Sequence, residues 1–220
     1  MSRGLVLSLE GQDASGKTTL LHHLADALRA RGYETHTVPE FSSSDVGSLL
    51  TATLQRDRFL RWNLAVSTAL AETLLLATDL YCKQSVAIEP AAARGAIVLV
   101  ERHIDSIFAC QIPKIAVDFP SYHFSYWFRW LADVLAMCNP PDCTVLLRTS
   151  RSTMIQRLQE RGETVDEDEL RVFDDRDCIY QWLATTYPER ITEAINEGAI
   201  TDVARELTDL IDGRLSAARL

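Results

Sequence analysis

The chain has 220 residues, 47% of them hydrophobic and 24% charged, ordinary globular values that argue against disorder and suffice for one full core. Its 22 basic and 31 acidic residues leave a net charge of −9, which argues against a broad nucleic-acid or membrane surface. Five scattered cysteines without a C-x-x-C pair read as reduced thiols, and neither a signal peptide nor a membrane-spanning run is evident, so a cytoplasmic protein is expected.

In chain order, an apolar run at 5–10 predicts a strand. It leads into Gly11-Gln12-Asp13-Ala14-Ser15-Gly16-Lys17-Thr18, which satisfies G-x-x-x-x-G-K-[ST]. Leu20, Leu21, Leu24 and Leu28 then recur at helical spacing as far as Gly32. Strand, glycine loop and helix together form a phosphate loop: backbone N–H groups turn toward phosphate oxygens, and the helix dipole adds positive character. Lys17 can reach the β- and γ-phosphates, and the Thr18 hydroxyl can ligate Mg²⁺. Gly11, Asp13, Ala14, Ser15, Gly16, Lys17, Thr18 and Thr19 are the expected ATP-binding set.

A second strand is predicted at 34–38, closed by Pro39-Glu40, and Ser42-Ser43-Ser44-Asp45 caps a helix at 46–55. Arg56-Asp57-Arg58 breaks the apolar pattern. The continuously apolar helix at 67–81 is expected to be buried at the centre. Another helix ends at Ala93-Arg94-Gly95, and the unbroken apolar run 96–100 predicts a buried parallel strand that delivers Glu101-Arg102. Further on come a strand at 143–147, a helix at 153–161, an acidic stretch at 163–169 expected to be a mobile, solvated loop, a short strand at 191–195 and a helix at 202–211. The aromatic stretch from Tyr122 to Trp130 reads first as core packing, with a homodimer face or a cover over the acceptor as the alternative. Alternating strands and helices imply an α/β fold in one domain, its parallel sheet covered on both faces. Ligands in such sheets lie beyond the strands' carboxyl ends, where the phosphate loop, Glu40 and Glu101-Arg102 converge.

Over residues 5–211 these features resemble the thymidylate kinase family of nucleoside monophosphate kinases. Ala77-Thr78-Asp79 through Pro90-Ala91-Ala92-Ala93-Arg94-Gly95 is similar to the family's A-A-D-R…P-A-L-A-R-G, and Glu101-Arg102-His103-Ile104-Asp105-Ser106 to its D-R-Y-x-x-S. Ala109 and Gln111 take the outer places of A-Y-Q, while Arg157 and Arg161-Gly162-Glu163 look like the start of a lid at about 157–176. The resemblance implies a three-layer P-loop kinase fold and transfer of a phosphoryl group from ATP to a pyrimidine nucleoside monophosphate or analogue. Mg²⁺ would sit on Thr18 and, through water, Glu101. Lys17 and Arg102, with Arg157 or Arg161, would draw charge from the moving phosphoryl group. Asp13, Glu40 and Gln111 would orient the acceptor, whose pocket also includes Phe41, Leu76, Leu80 and Arg102.

The chain departs from the family pattern in that pocket. Phe41, Thr51 and Leu80 stand where relatives carry arginines, Leu76 where a ring stacks on the base, and Ala14 where some members hold a catalytic arginine. Glu40 and the Glu101-Arg102 pair also look like those of the deoxynucleoside kinases, in which the first glutamate takes a proton from a sugar hydroxyl. A P-loop NTPase switch without a small acceptor is the reading from another class. His103 reads as a pocket wall in preference to an acid–base group.

Overall fold

The strands β1 (Val6–Gly11), β2 (Thr35–Val38), β3 (Ile97–Glu101), β4 (Cys143–Arg148) and β5 (Ile191–Ile195) form one parallel sheet in the order β2-β3-β1-β4-β5. They belong to a computed structural model that describes residues 3–56 and 69–217. The helices are α1 (Lys17–Ala30), α2 (Asp45–Arg56), α3 (Ala69–Lys83), α4 (Glu89–Ala93), α5 (Ile104–Asp118), α6 (Phe124–Val134), α7 (Arg151–Glu160), α8 (Glu167–Thr186) and α9 (Ile200–Ala217). The expected three-layer α/β architecture is present.

Strand pleating divides the side chains between two helical layers. Leu7, Leu9, Leu99 and Val145 pack against leucines of α1 and against Val203 and Leu207 of α9. On the opposite face Val6, Val98 and Val100 meet Ile88, Ala91 and Ala92, while Leu146 and Ile191 join the core of α3, α5, α6 and α8. β1 is central, and Leu9 is in register with both Glu101 and Val145. That register brings the phosphate loop and the Glu101-Arg102 corner to the same edge of the sheet.

Three elements differ from the sequence reading. The apolar helix α3 is not buried all round: Leu74 is half-exposed, while Glu72, Thr73, Asp79 and Lys83 are buried. Its buried face is partly polar because it forms one wall of a cavity. A π-helical turn, Gln84–Ile88, then carries the chain without a break into α4. The acidic stretch at 163–169 is not wholly loop. Asp166 accepts from Glu169 N at 2.8 Å and Glu169 Oε2 accepts from Asp166 N at 3.1 Å, a reciprocal cap that starts α8. Carboxylates there complement the positive end of the helix dipole, so an acidic run marks a helix start as readily as a solvated loop. The expected break at Asp57 and Arg58 and the helix start at residue 67 lie outside the described residues.

Of the aromatic stretch, Trp127 is buried in the core, while Tyr122, Phe124 and Tyr126 are exposed. None of them lines the cavity beside α3. All five cysteines are free thiols. Among the described residues no helix is long and apolar enough to cross a membrane.

Candidate active site

The phosphate loop has backbone geometry that its sequence explains. Gly11 has φ +136°, and a Cβ there would lie 2.5 Å from the Leu147 carbonyl oxygen. Gly16 has φ +97°, and a Cβ there would meet Asn196 Nδ2 at 2.6 Å. Only glycine fits both positions. Ala14, at φ +58°, is a left-handed non-glycine residue held by packing against Met154 and Leu158 of α7 and Phe173 of α8.

The charged groups stand where a polyphosphate would lie. Lys17 is buried, and its Nζ donates to Gln12 O at 2.7 Å. Burial, with Arg102 adding to it, pushes its ammonium down to about 8 against the opposing pull of Asp13, Glu40 and Glu101. An ammonium held in this way gains from a bound anion. Thr18 donates its hydroxyl proton to Glu101 Oε1 at 2.6 Å, which sets two hard oxygens face to face. That donor set suits a small divalent cation bound at Thr18 and met by Glu101. No cluster of three or more metal-binding side chains exists among the described residues, so phosphate and water oxygens would complete the shell.

Arg102 is the hub between the two halves of the site. Its φ of +55° turns it off the end of β3, and its guanidinium donates to Gly11 O at 3.0 Å and to Asp13 Oδ1 at 2.5 Å. Glu40 Oε1 lies 3.2 Å from Arg102 Nε, an ion pair by distance that is not aligned as a hydrogen bond. Arg176 of α8, also buried, donates to the other Asp13 oxygen at 3.1 Å. Burial alone would raise the Asp13 carboxyl, but Arg102, Arg176 and Lys17 reverse that and hold it at about 2. Beneath Arg102, Glu10 accepts from His103 N at 2.7 Å and from the Ser106 hydroxyl. Burial, reinforced by Asp105, pushes Glu10 up to about 7.

Phe41, Leu76, Leu80 and Gln111 line the same cavity of about 270 Å³ as Lys17, Glu40 and Arg102. Gln111 is buried, with Oε1 3.1 Å from the Thr73 hydroxyl. Asp79 accepts from Ser42 N at 3.1 Å and from its hydroxyl, which pins the turn after Phe41. Gly47 closes that turn: a Cβ there would lie 2.1 Å from Ser42 O and 2.7 Å from Asp79 Oδ1.

The two arginines expected in a lid have different surroundings. Arg161 is exposed and lines the cavity, whereas Arg157 does not line it and donates to Ala14 O at 3.3 Å and Asn196 O at 3.1 Å. Arg157 therefore braces the phosphate loop in this conformation. Thr51 does not line the cavity. His103 is buried against Gln84 and pushed down to about 3 by burial, then by Lys83 and Arg190, so it is a neutral wall residue.

Several cavity residues escaped the sequence reading. Arg176, Lys83, Lys114, Glu72 and Thr73 all line it or support it; the apolar patterns of α3 and α5 hid all but Arg176, which lies on α8. The cavity is thus less poor in cations than the missing arginines suggested.

The thymidylate kinase family model matches residues 9–207. This chain belongs to the thymidylate kinase family. A probable thymidylate kinase of Caldivirga maquilingensis is 32% identical over 159 residues, covering 72% of this chain and 69% of the relative. A thymidylate kinase of Exiguobacterium sibiricum is 30% identical over 210 residues, 93% of this chain and 92% of the relative. In fold, the chain is similar to the crystal structure of thymidylate kinase from Ehrlichia chaffeensis, with a TM-score of 0.68, 19% identity and coverage of 95% and 99%. Membership of the thymidylate kinase family makes the chain a phosphotransferase acting on nucleotides, and leaves the nucleoside kinase and NTPase switch readings unfavoured.

Proposed function

We propose that this enzyme transfers the γ-phosphoryl group of ATP to a pyrimidine nucleoside monophosphate, with dTMP the first acceptor to test. One observation carries the reading. A single cavity joins the phosphate loop to an apolar pocket closed by Phe41, Leu76, Leu80 and Gln111, and Arg102 stands between the two. A nucleotide at each end would bring its phosphates together at Arg102. The names of the relatives support dTMP as the acceptor.

In this reading Lys17 and the loop N–H groups hold the β- and γ-phosphates of ATP. Thr18 and Glu101 hold Mg²⁺, which supplies charge neutralisation at the transferring group when bound. Arg102 and Arg161 offset the charge that spreads over the phosphoryl oxygens. Asp13 and Glu40 orient Arg102, while Gln111 meets the base edge. Phosphoryl transfer needs this positioning more than proton chemistry, because a monophosphate oxygen carries no proton that must be removed. A cytoplasmic setting and a homodimer belong to the same reading.

The test is ADP formation with ATP and Mg²⁺ against dTMP, dUMP, UMP, dCMP and thymidine. A pyrimidine monophosphate should drive turnover, and thymidine should not. Turnover that needs no acceptor, or that runs on thymidine, would overturn the reading.

A further inference from the structure

Lys83, at the end of α3, is almost fully buried and lines the cavity. Its Nζ donates to Glu40 O at 2.7 Å and to Arg102 O at 2.9 Å, the carbonyls that follow β2 and β3. An ammonium has three N–H donors, and these two bonds use two of them. Among the described residues no carboxylate lies within ion-pair distance of this nitrogen. The neighbouring carboxylates are committed elsewhere: Asp79 to Ser42, Glu40 to Arg102, Glu101 to Thr18, and Glu10 to His103 N and Ser106. A buried cation bound only to neutral oxygens carries charge without a counter-ion, at a cost that an anion beside it would relieve. Lys17 is likewise buried and bonded to neutral oxygens, and in the proposed reading its anion is the ATP polyphosphate.

We propose that Lys83 is an anion-binding residue of the acceptor side, supplying its remaining N–H to the acceptor's monophosphate in place of the arginine absent at Phe41. This rests on the reading that the acceptor is a monophosphate. Lys83 lies between the loops carrying Glu40 and Arg102, so a phosphate bound to it would face the transfer path. Burial lowers the affinity of its ammonium for the proton, and Asp79, Glu40, Glu10 and Glu101 oppose that loss. Its two bonds to backbone carbonyls leave one N–H to spare.

The experiment compares dTMP with thymidine, ligands that differ by the phosphate, by calorimetric titration with an unreactive ATP analogue and Mg²⁺ present. Lys83→Gln keeps two N–H donors for the carbonyls and removes the charge, Lys83→Met removes both, and Lys83→Arg keeps the charge. Gln and Met should weaken dTMP about tenfold to a hundredfold, leave thymidine within about twofold, and Arg should recover most of the loss. Equal weakening of both ligands would make Lys83 a brace between two loops and overturn the proposal, as would unchanged dTMP binding. If the wild type binds dTMP no more tightly than thymidine and does not turn it over, the monophosphate reading itself fails, before any variant is compared. Melting curves of each variant separate loss of fold from loss of binding, and the Gln variant is decisive should Met fail to fold.

Discussion

Two buried ionisable residues set the chemistry of the site in opposite ways. Lys17 carries the charge nearest the loop, so Lys17→Ala should leave the melting transition intact and lower kcat by at least about a hundredfold, the usual loss for a preorganised charge on a reacting group. Activity within about tenfold of wild type would place the phosphate elsewhere. Glu10 lies under the loop and is pushed up to about 7 from 4.5 by burial and by Asp105. The folded state thus holds its proton more tightly than the unfolded state does. The stability contributed by that proton is full below pH 4.5 and is lost as pH rises through about 7. His103, pushed down to about 3 from 6.5, has the opposite sign and loses stability as pH falls below 6.5, so the wild-type curve blends the two. Glu10→Gln isolates the first. Its stability relative to wild type should rise from pH 4.5 to 7 and then level off, measured by urea unfolding across that range. A flat difference would mean that Glu10 is ionised in the folded protein.

At the scale of elements, the turn between β2 and α2 is the place where packing most constrains sequence. Gly47 lies against Ser42 O and Asp79, so Gly47→Ala must push the turn outward and loosen its bonds to Asp79. Overpacking of this kind costs about 1–3 kcal/mol. We expect a lower melting temperature and a raised KM for the acceptor with a smaller change for ATP, because Phe41 shares that turn. Equal changes in both KM values would show that the turn serves the whole site. The elements themselves were legible to different degrees. β3 announces itself as an unbroken apolar run and β1 and β4 as mostly apolar ones, because a parallel strand is covered on both faces. The buried face of α3 was hidden, since Leu74, Leu75 and Leu76 mask the positions of Glu72, Thr73, Asp79 and Lys83. α8 was hidden for another reason: an acidic capping box and a solvated acidic loop have the same composition, and only the bonds between Asp166 and Glu169 distinguish them.

At the scale of the molecule, half of the candidate site was readable and half was not. The phosphate loop is contiguous, so spacing alone identifies Gly11, Gly16, Lys17 and Thr18. The acceptor side is assembled from α3, α5, α8 and two turns, and its cations Lys83, Lys114 and Arg176 become neighbours only when the sheet brings those elements together. Asp13 also gives the protein an internal anion in the place of a ligand's. Asp13 is clasped by Arg102 and Arg176, and Glu40 stands beside Arg102. An arriving nucleotide therefore swaps one anion for another at these guanidiniums, and little counter-ion is shed to the solvent. Outside the cavity the molecule is an anion of charge −9, which repels nucleotides at a distance. Dissolved salt shortens the reach of that repulsion from about 30 Å at 0.01 M to about 8 Å at 0.15 M, while the buried pairs are much less affected. Capture of nucleotide should consequently speed up, or hold steady, as salt rises over that range. Stopped-flow association rates check this, and a steep fall with salt would mean that a positive funnel at the cavity mouth governs entry. An enzyme built in this way would work at nearly constant affinity across wide swings in ionic strength.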